Sequence, residues 1–237
     1  MIKYSKKDDT SFAPGITLAF YLLENRKEDI IRIYISPSLE RKETYFKLVS
    51  LAKNSKIPLI ENNAKIFKDI ANKDNCMVIA EFKKRFNILE KDAAHLVLVN
   101  PSNMGNLGTI LRSCLAFNIN NVALISPCAD PYDPKTIRAS MGSIFSINLT
   151  IFPSFEEYKK LYSNHHFYPF MLKAKNTLGN IKISNPYSII LGNEATGLDD
   201  SYLNEGEPVL IKISSKVDSL NLDNAASIAL YEFAKSI

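Results

Sequence analysis

Residues 100–114, NPSNMGNLGTILRSC, join an apolar pentapeptide, His95–Val99 (HLVLV), to a run in which Leu107, Ile110, Leu111, Cys114 and Leu115 recur at helical spacing. The order is strand, turn, helix, the opening of an α/β unit. Gly105 and Gly108 let a ligand approach the main chain at the turn, where the N–H groups that open a helix favour electron-rich groups. Asn103 or Asn106 is expected to cap the helix. Arg112 lies off the apolar stripe, and a helical side chain leans back over the preceding turn, here Gly108 and Thr109, so its guanidinium is expected to reach the mouth. The glycines do not follow G-x-G-x-x-G, which argues against a dinucleotide site. On this segment alone, a strand, turn and helix with no ligand is equally open.

Working outward, strand patterns follow at Asn121–Ile125, near 144–151, at 167–172, 188–191 and 208–213. Helices are expected near 134–141, at 155–162 and at 219–237. This alternation reads as a doubly wound parallel sheet. Upstream, helices at 15–23, 43–53 and 64–72 alternate with strands at 30–36, 57–61 and 76–82, a small α/β domain. The charged stretch 83–92 reads as a linker, so two domains are expected, residues 1–90 and residues 91–237.

Of the 237 residues 46% are hydrophobic and 23% charged, enough apolar material for packed cores. No stretch approaches the ~18 apolar residues of a membrane span. The start, MIKYSKKDD, is charged with no apolar segment behind it, so a cytoplasmic location with no membrane partner is expected. Cys76, Cys114 and Cys128 form no C-x-x-C pair and the histidines are only His95, His165 and His166, which speaks against a disulfide framework and a metal site. His165 and His166 are expected at a surface or strand edge. Net charge is +4 overall, but residues 1–93 carry +5 and residues 94–237 carry −1. That asymmetry suits an N-terminal domain that meets phosphates. After residue 93 the only arginines are Arg112 and Arg138.

Two more segments carry polar residues in tight patterns. Residues 188–203, SIILGNEATGLDDSYL, give a buried strand, a Gly192-Asn193-Glu194 turn, a second glycine at Gly197, and Asp199 and Asp200 where a helix would begin. Residues 210–232, LIKISSKVDSLNLDNAASIALYE, give a strand, a polar loop and a helix whose Ala225, Ala226, Ser227 and Ala229 permit close helix packing.

In this order the three segments resemble the SpoU/TrmH-like RNA ribose 2′-O-methyltransferases of the SPOUT superfamily. NMGNLGTILRS, with its N-x-G-x-x-x-R core, is similar to the family's first motif, LGNEATGL to its second and VDSLNLDNAASIALYE to its third, while DPKTIRASMGS (133–143) is similar to a further family segment. The likeness covers residues 95–237, and the upstream region resembles, less specifically, the family's ribosomal-protein-like substrate-binding domain. Two departures stand out. The third motif usually opens with Ile-Pro-Met and a glycine, where this chain has Ile211, Lys212, Ile213 and Ser215, and the glutamine-glycine pair after the first domain's last strand is replaced by Ala80-Glu81-Phe82.

The resemblance implies an α/β-knot fold, a parallel sheet with a C-terminal trefoil knot preceded by a small α/β substrate-binding domain. It implies S-adenosyl-L-methionine as cofactor, RNA as substrate with rRNA ahead of tRNA, and a homodimer whose interface helps build the active site. Carried over by position, Asn106, Arg112, Glu194, Ser219 and Asn221 are the expected catalytic residues, and Leu191, Gly192, Ile211 and Leu220 the expected cofactor contacts. A ribose 2′-hydroxyl is a poor nucleophile until its proton is drawn off or its charge is stabilised. Arg112 would hold phosphate or hydroxyl, Asn106, Ser219 and Asn221 would supply neutral hydrogen bonds, and Glu194 would orient Arg112 or cap backbone donors. Competing readings are a catalytically silent RNA-binding or ribosome-assembly protein on the same fold, and a dinucleotide-dependent enzyme. Retention of all five polar residues favours the methyltransferase over the first, and the glycine spacing disfavours the second.

Overall fold

The computed structural model describes residues 3–71 and 75–235. They divide into two compact units, Met1–Arg85 with Asp130–Ser146, and Phe86–Ala129 with Ile147–Ile237. The chain begins with β1 (Thr10–Pro14), α1 (Ile16–Asn25), β2 (Ile30–Ile35), α2 (Glu43–Asn54), β3 (Leu59–Glu61), α3 (Ala64–Ile70) and β4 (Val78–Lys83). The sheet runs β1-β4-β2-β3, with β4 antiparallel to both neighbours and only β2 and β3 parallel. Strand β1 has no counterpart in the sequence reading, and Asn72, the last residue of the helix expected at 64–72, lies outside the described residues. Gly15, at φ 135°, makes the abrupt passage from β1 into α1. Ile33, Ile66, Val78, Ile79 and Phe82 are buried, as the apolar spacing of their elements requires.

The second unit opens with β5 (His95–Val99), α4 (Met104–Ala116) and β6 (Asn121–Ile125). Residues 130–146, which hold α5 (Pro134–Ala139), then group with the first unit. The Ser11 hydroxyl donates to the Tyr132 carbonyl, Arg138 donates to the Ala71 carbonyl at 3.0 Å, and Tyr132, Ile137 and Phe145 are buried. The units therefore differ from the expected division at residue 90, which assigned 130–146 to the second domain and 86–90 to the first. The apolar side chains of 130–146 find their burial among elements far earlier in the chain.

The chain continues through β7 (Asn148–Phe152), α6 (Phe155–Leu161), β8 (His166–Pro169), β9 (Asn176–Thr177), β10 (Tyr187–Leu191), β11 (Val209–Leu210) and α7 (Leu222–Ala234). Five parallel strands form the sheet, in the order β7-β6-β5-β10-β8. Every residue of β5, β6 and β10 is buried, which explains their continuous apolar runs. The strand expected at 144–151 starts only at Asn148, after a 3-10 turn at Ser143–Ser146. The one expected at 208–213 shrinks to two residues paired with β9, outside the main sheet. The closing helix runs from Leu222 to Ala234.

Helix α7 packs on α4, where the Ser113 and Ser227 hydroxyls meet at 2.9 Å and Ala226 and Ala229 are buried. Phe233 anchors α7 beneath the sheet, with ring centroids 5.0 Å from Tyr187 and 5.1 Å from Tyr168. Because β10 sits between β5 and β8, the loops that leave β5 and β10 emerge side by side at the carboxyl ends of the strands, where open α/β sheets bind ligands. Among the described residues no helix is long and apolar enough to cross a membrane.

Candidate functional site

The mouth of α4 is built from polar side chains that the sequence places just after β5. Asn100 adopts a left-handed backbone conformation (φ 52°), tolerated by asparagine, and ends the strand abruptly. Asn103 is the N-cap, its Oδ1 accepting from Gly105 N at 2.8 Å and Asn106 N at 3.1 Å. The Ser102 and Asn103 N–H groups, which would face a ligand, donate instead to Glu194 at 3.0 and 3.1 Å. The Glu194 carboxylate also accepts from Ser102 Oγ at 2.8 Å, Asn106 Nδ2 at 3.3 Å and Asn193 Nδ2 at 3.4 Å. Burial raises the Glu194 pKa, but the hydrogen bonds from Ser102 and Asn103 outweigh it and hold the group below the usual carboxylate value. The electron-rich group expected at this helix mouth is therefore a side chain of the protein itself.

The loop that carries Glu194 explains the LGNEATG pattern residue by residue. A side chain at Gly192 would bring its Cβ within 2.2 Å of the Gly197 carbonyl carbon, so the loop closes only over a glycine. Gly197 holds φ 68° and its N–H donates to the Asn193 carbonyl at 2.9 Å. Asn193 organises the rest, its Oδ1 accepting from Ala195 N and Thr196 N while its Nδ2 donates to the Asn100 carbonyl at 2.7 Å. One loop thus fastens the ends of β5 and β10 together.

Beside this loop lies a cavity of about 440 Å³, within the size range of small-molecule sites. Leu191, Gly192, Ile211 and Leu220, the four expected cofactor contacts, all line it, as do Glu194 and Ser219. Leu198, Leu210 and Ile213 add apolar wall, while Asp200 and Asp218 add carboxylates. Lys173 is bound to Asp200 through both carboxylate oxygens at 2.6 and 2.7 Å. Among the described residues no group of three or more His, Cys, Asp or Glu side chains gathers where a metal ion could be held.

Asn106 joins the two halves of the site. Its Nδ2 reaches Glu194 and also Asn221 Oδ1 at 3.3 Å, and Asn221 in turn caps α7 by accepting from Leu222 N at 2.8 Å. Of the five expected catalytic residues, Asn106, Glu194 and Asn221 form one hydrogen-bonded cluster, and Ser219 lines the adjoining cavity. Arg112 does not join them. It is exposed on α4 and, among the described residues, has no hydrogen-bond or ion-pair partner. Of the two roles expected for Glu194, it takes the capping of backbone donors. Sequence reasoning missed Ser102, which gives Glu194 two hydrogen bonds, and Asn193 as the loop's organiser, although both are short polar residues beside a strand end, where such capping is common.

Comparison with known proteins gives a consistent picture. Residues 93–231 match the model of the SpoU rRNA Methylase family. The chain is 29% identical over 152 residues to the 23S rRNA (uridine(2479)-2′-O)-methyltransferase of Streptomyces viridochromogenes, covering 61% of this chain and 53% of that protein. It is 31% identical over 130 residues to the 23S rRNA (guanosine(2553)-2′-O)-methyltransferase RlmP of Bacillus subtilis, covering 54% and 52%. The chain thus spans about half the length of the curated relatives it matches. Among solved structures, the AdoMet-bound rRNA methyltransferase of Sinorhizobium meliloti superposes with a TM-score of 0.84 at 24% identity, covering 97% of this chain and 88% of that one. The SpoU methyltransferase AviRb of Streptomyces viridochromogenes gives 0.81 at 20% identity, covering 96% and 90%. At these identities the structural likeness speaks for the fold.

Proposed function

The chain belongs to the SpoU rRNA Methylase family, and we propose from that premise that it transfers a methyl group from S-adenosyl-L-methionine to a ribose 2′-hydroxyl of structured RNA, rRNA ahead of tRNA. The observation that carries the reading is the junction of a nucleoside-sized cavity with the Asn106–Glu194–Asn221 cluster. The lining suits the cofactor. Leucine and isoleucine walls accept an uncharged base and sugar, and the Glu194 and Asp218 carboxylates favour a positive charge, Asp200 being paired with Lys173. Leu191, Gly192, Ile211 and Leu220 would hold S-adenosyl-L-methionine, which when bound supplies the methyl group as an activated sulfonium.

The protein's own contribution is positioning and charge. Glu194 fixes Asn106, whose amide is held between two acceptors and fixes in turn the start of α7 beside Ser219. A substrate hydroxyl docked against Ser219 and Asn221 would be oriented by neutral hydrogen bonds. Arg112 supplies the remaining need, a cation that holds a phosphate or stabilises the developing alkoxide. Its outward position fits a site completed by a second copy of the chain. The exposed residues of α4 (Gly105, Thr109, Arg112, Ala116) and of α7 (Asn224, Ile228, Tyr231) make a face of small and apolar side chains with that arginine on it. We infer a homodimer through this face, a C-terminal trefoil knot formed as the segments after β10 thread to α7, RNA docking by the basic first unit, and a cytoplasmic location.

The test is methyl transfer from radiolabelled S-adenosyl-L-methionine to total RNA from cells lacking the gene, with the 2′-O-methyl position mapped. Incorporation at one ribose supports the reading. Tight RNA binding with no incorporation would replace it with the silent RNA-binding alternative.

A further inference from the structure

A second polar cluster lies at the amino ends of β5 and β10, the opposite end from the cavity. His95 is fully buried, and His165, expected at a surface or strand edge, directly precedes the edge strand β8 and is only 6% exposed; their ring centroids are 4.4 Å apart. His95 Nε2 lies 2.8 Å from the Glu90 carbonyl, and its Nδ1 lies 2.8 Å from the Tyr158 hydroxyl. That hydroxyl is 2.6 Å from Ser188 Oγ, which is 2.9 Å from His165 Nδ1, while His165 Nε2 lies 2.8 Å from the Lys91 carbonyl. Five polar links run in an unbroken chain from one backbone carbonyl to another.

A carbonyl oxygen only accepts, so each Nε2 must carry a hydrogen. Five links need five hydrogens, yet two neutral imidazoles, one tyrosine and one serine bring only four. With both rings neutral, one link in the chain sets lone pair against lone pair. One added proton closes all five. His165 as imidazolium donates to Ser188, Ser188 to Tyr158 and Tyr158 to His95, or the whole chain runs in reverse with His95 charged. We propose that His95 and His165 bind a single proton between them, shared through Ser188 and Tyr158, and that this proton closes the inner link of the chain by which both rings hold the strap of residues 89–91 at the foot of the second unit's sheet. The Tyr162 hydroxyl adds to the strap, donating to the Leu89 carbonyl at 3.3 Å.

The surroundings say where the proton resides. Burial opposes charge on either ring, drawing His95 down to about 4 and His165 below its ordinary value. Facing His165 are the Tyr187 carbonyl and Asp92, which favour its charge, and His166, which opposes it. Glu90 turns its carboxylate to Asn148 at 3.2 Å, Lys91 contributes its carbonyl, and on α6 Lys159 is bound to Glu205 at 2.6 Å. The Tyr162 ring stands edge-on to His95 at 4.7 Å. Asp92 thus favours the His165 end for the shared proton, and a second is refused by a like charge one ring away.

The experiment follows ring nitrogen shifts of the full chain labelled with ¹⁵N-histidine by NMR from pH 8.5 to 5, with His166 identified by a His166→Gln variant. Expected is one step in which both buried rings move together and whose amplitudes sum to one proton. Ser188→Ala leaves three links served by three hydrogens, and Tyr158→Phe does the same by a different cut, so in each the rings titrate separately and the joint step is lost. Since the native protein holds one proton more than Ser188→Ala across that window, the ratio of their folding constants rises by up to tenfold for each unit the pH falls within it. Rings that titrate independently in the native protein, or stay neutral throughout, overturn the proposal. So does a joint step that survives both variants.

Discussion

Replacing Glu194 by glutamine tests whether this carboxylate holds the site together. Its two oxygens accept from Ser102 N, Ser102 Oγ, Asn103 N, Asn106 Nδ2 and Asn193 Nδ2 at 2.8–3.4 Å, and every one of these partners is a donor. A glutamine keeps one accepting oxygen and turns an NH₂ toward the remaining donors. Charge-assisted hydrogen bonds contribute about 1.5–3 kcal/mol each in favourable cases. Glu194 is half-buried and solvent competes for its partners, so the expected loss is about 2 kcal/mol in all. In urea that corresponds to a midpoint lowered by about 1 M. The pH dependence has a definite sign. Glu194 has a folded pKa below its unfolded one, so its stabilisation is complete above about pH 4.3 and fades as the pH falls through the folded value. The gap between native protein and Glu194→Gln should be widest near pH 7 and narrow toward pH 3. Urea denaturation followed by circular dichroism gives the global number, and hydrogen exchange at Ser102 and Asn103 gives the local one. Unchanged exchange at these two amides, or a gap equally wide at pH 3 and pH 7, would refute the reasoning.

Arg112→Ala should abolish methyl transfer while shifting stability by less than about 0.5 kcal/mol, because the side chain is exposed, and should leave cofactor affinity near its native value by calorimetry. Gly192→Ala forces a Cβ to 2.2 Å from backbone, so cofactor binding should fall at least tenfold as the loop is displaced. Phe233→Ala removes a fully buried ring packed on Tyr168, Tyr187 and Phe170 and should cost about 3–5 kcal/mol, read as a lowered unfolding midpoint. Changing the exposed lysines Lys27, Lys47, Lys53 and Lys56 to alanine should flatten the salt dependence of RNA binding, by about 0.7–0.9 in the log–log slope for each phosphate no longer neutralised. An unaltered slope would remove those four from the RNA-binding surface.

The parallel sheet was legible because β5, β6 and β10 are buried on both sides and so read as unbroken apolar runs. Strand β1, TSFAP, was not, since it is short, ends in proline and follows a charged run; its place is fixed by pairing with β4, about seventy residues later. The apolar content of 130–146 announces burial but says nothing of where, and contacts such as the hydrogen bonds of Tyr132 and Arg138 reveal that the segment belongs with elements from the start of the chain. Val209–Leu210 looked like part of a longer strand because Ile211 and Ile213 continue the alternation, yet Ile211 and Ile213 line the cavity. At the site, the resemblance of three motifs to a known family, and not residue pattern alone, pointed to Asn106, Glu194 and Asn221, whose hydrogen bonds join one another. The partner of Arg112 was out of reach, because a guanidinium on an outward helix face is defined by whatever docks there.

A helix that begins with its own carboxylate already seated has no vacancy for a diphosphate bridge. Inorganic phosphate or sulfate in the buffer should therefore leave the Ser102–Glu194 junction undisturbed, and nucleotide cofactors that depend on a bare helix end should find no purchase. With that counter-ion built in and Asp218 also in its lining, the neighbouring hollow should receive a cationic ligand more readily than an anionic one.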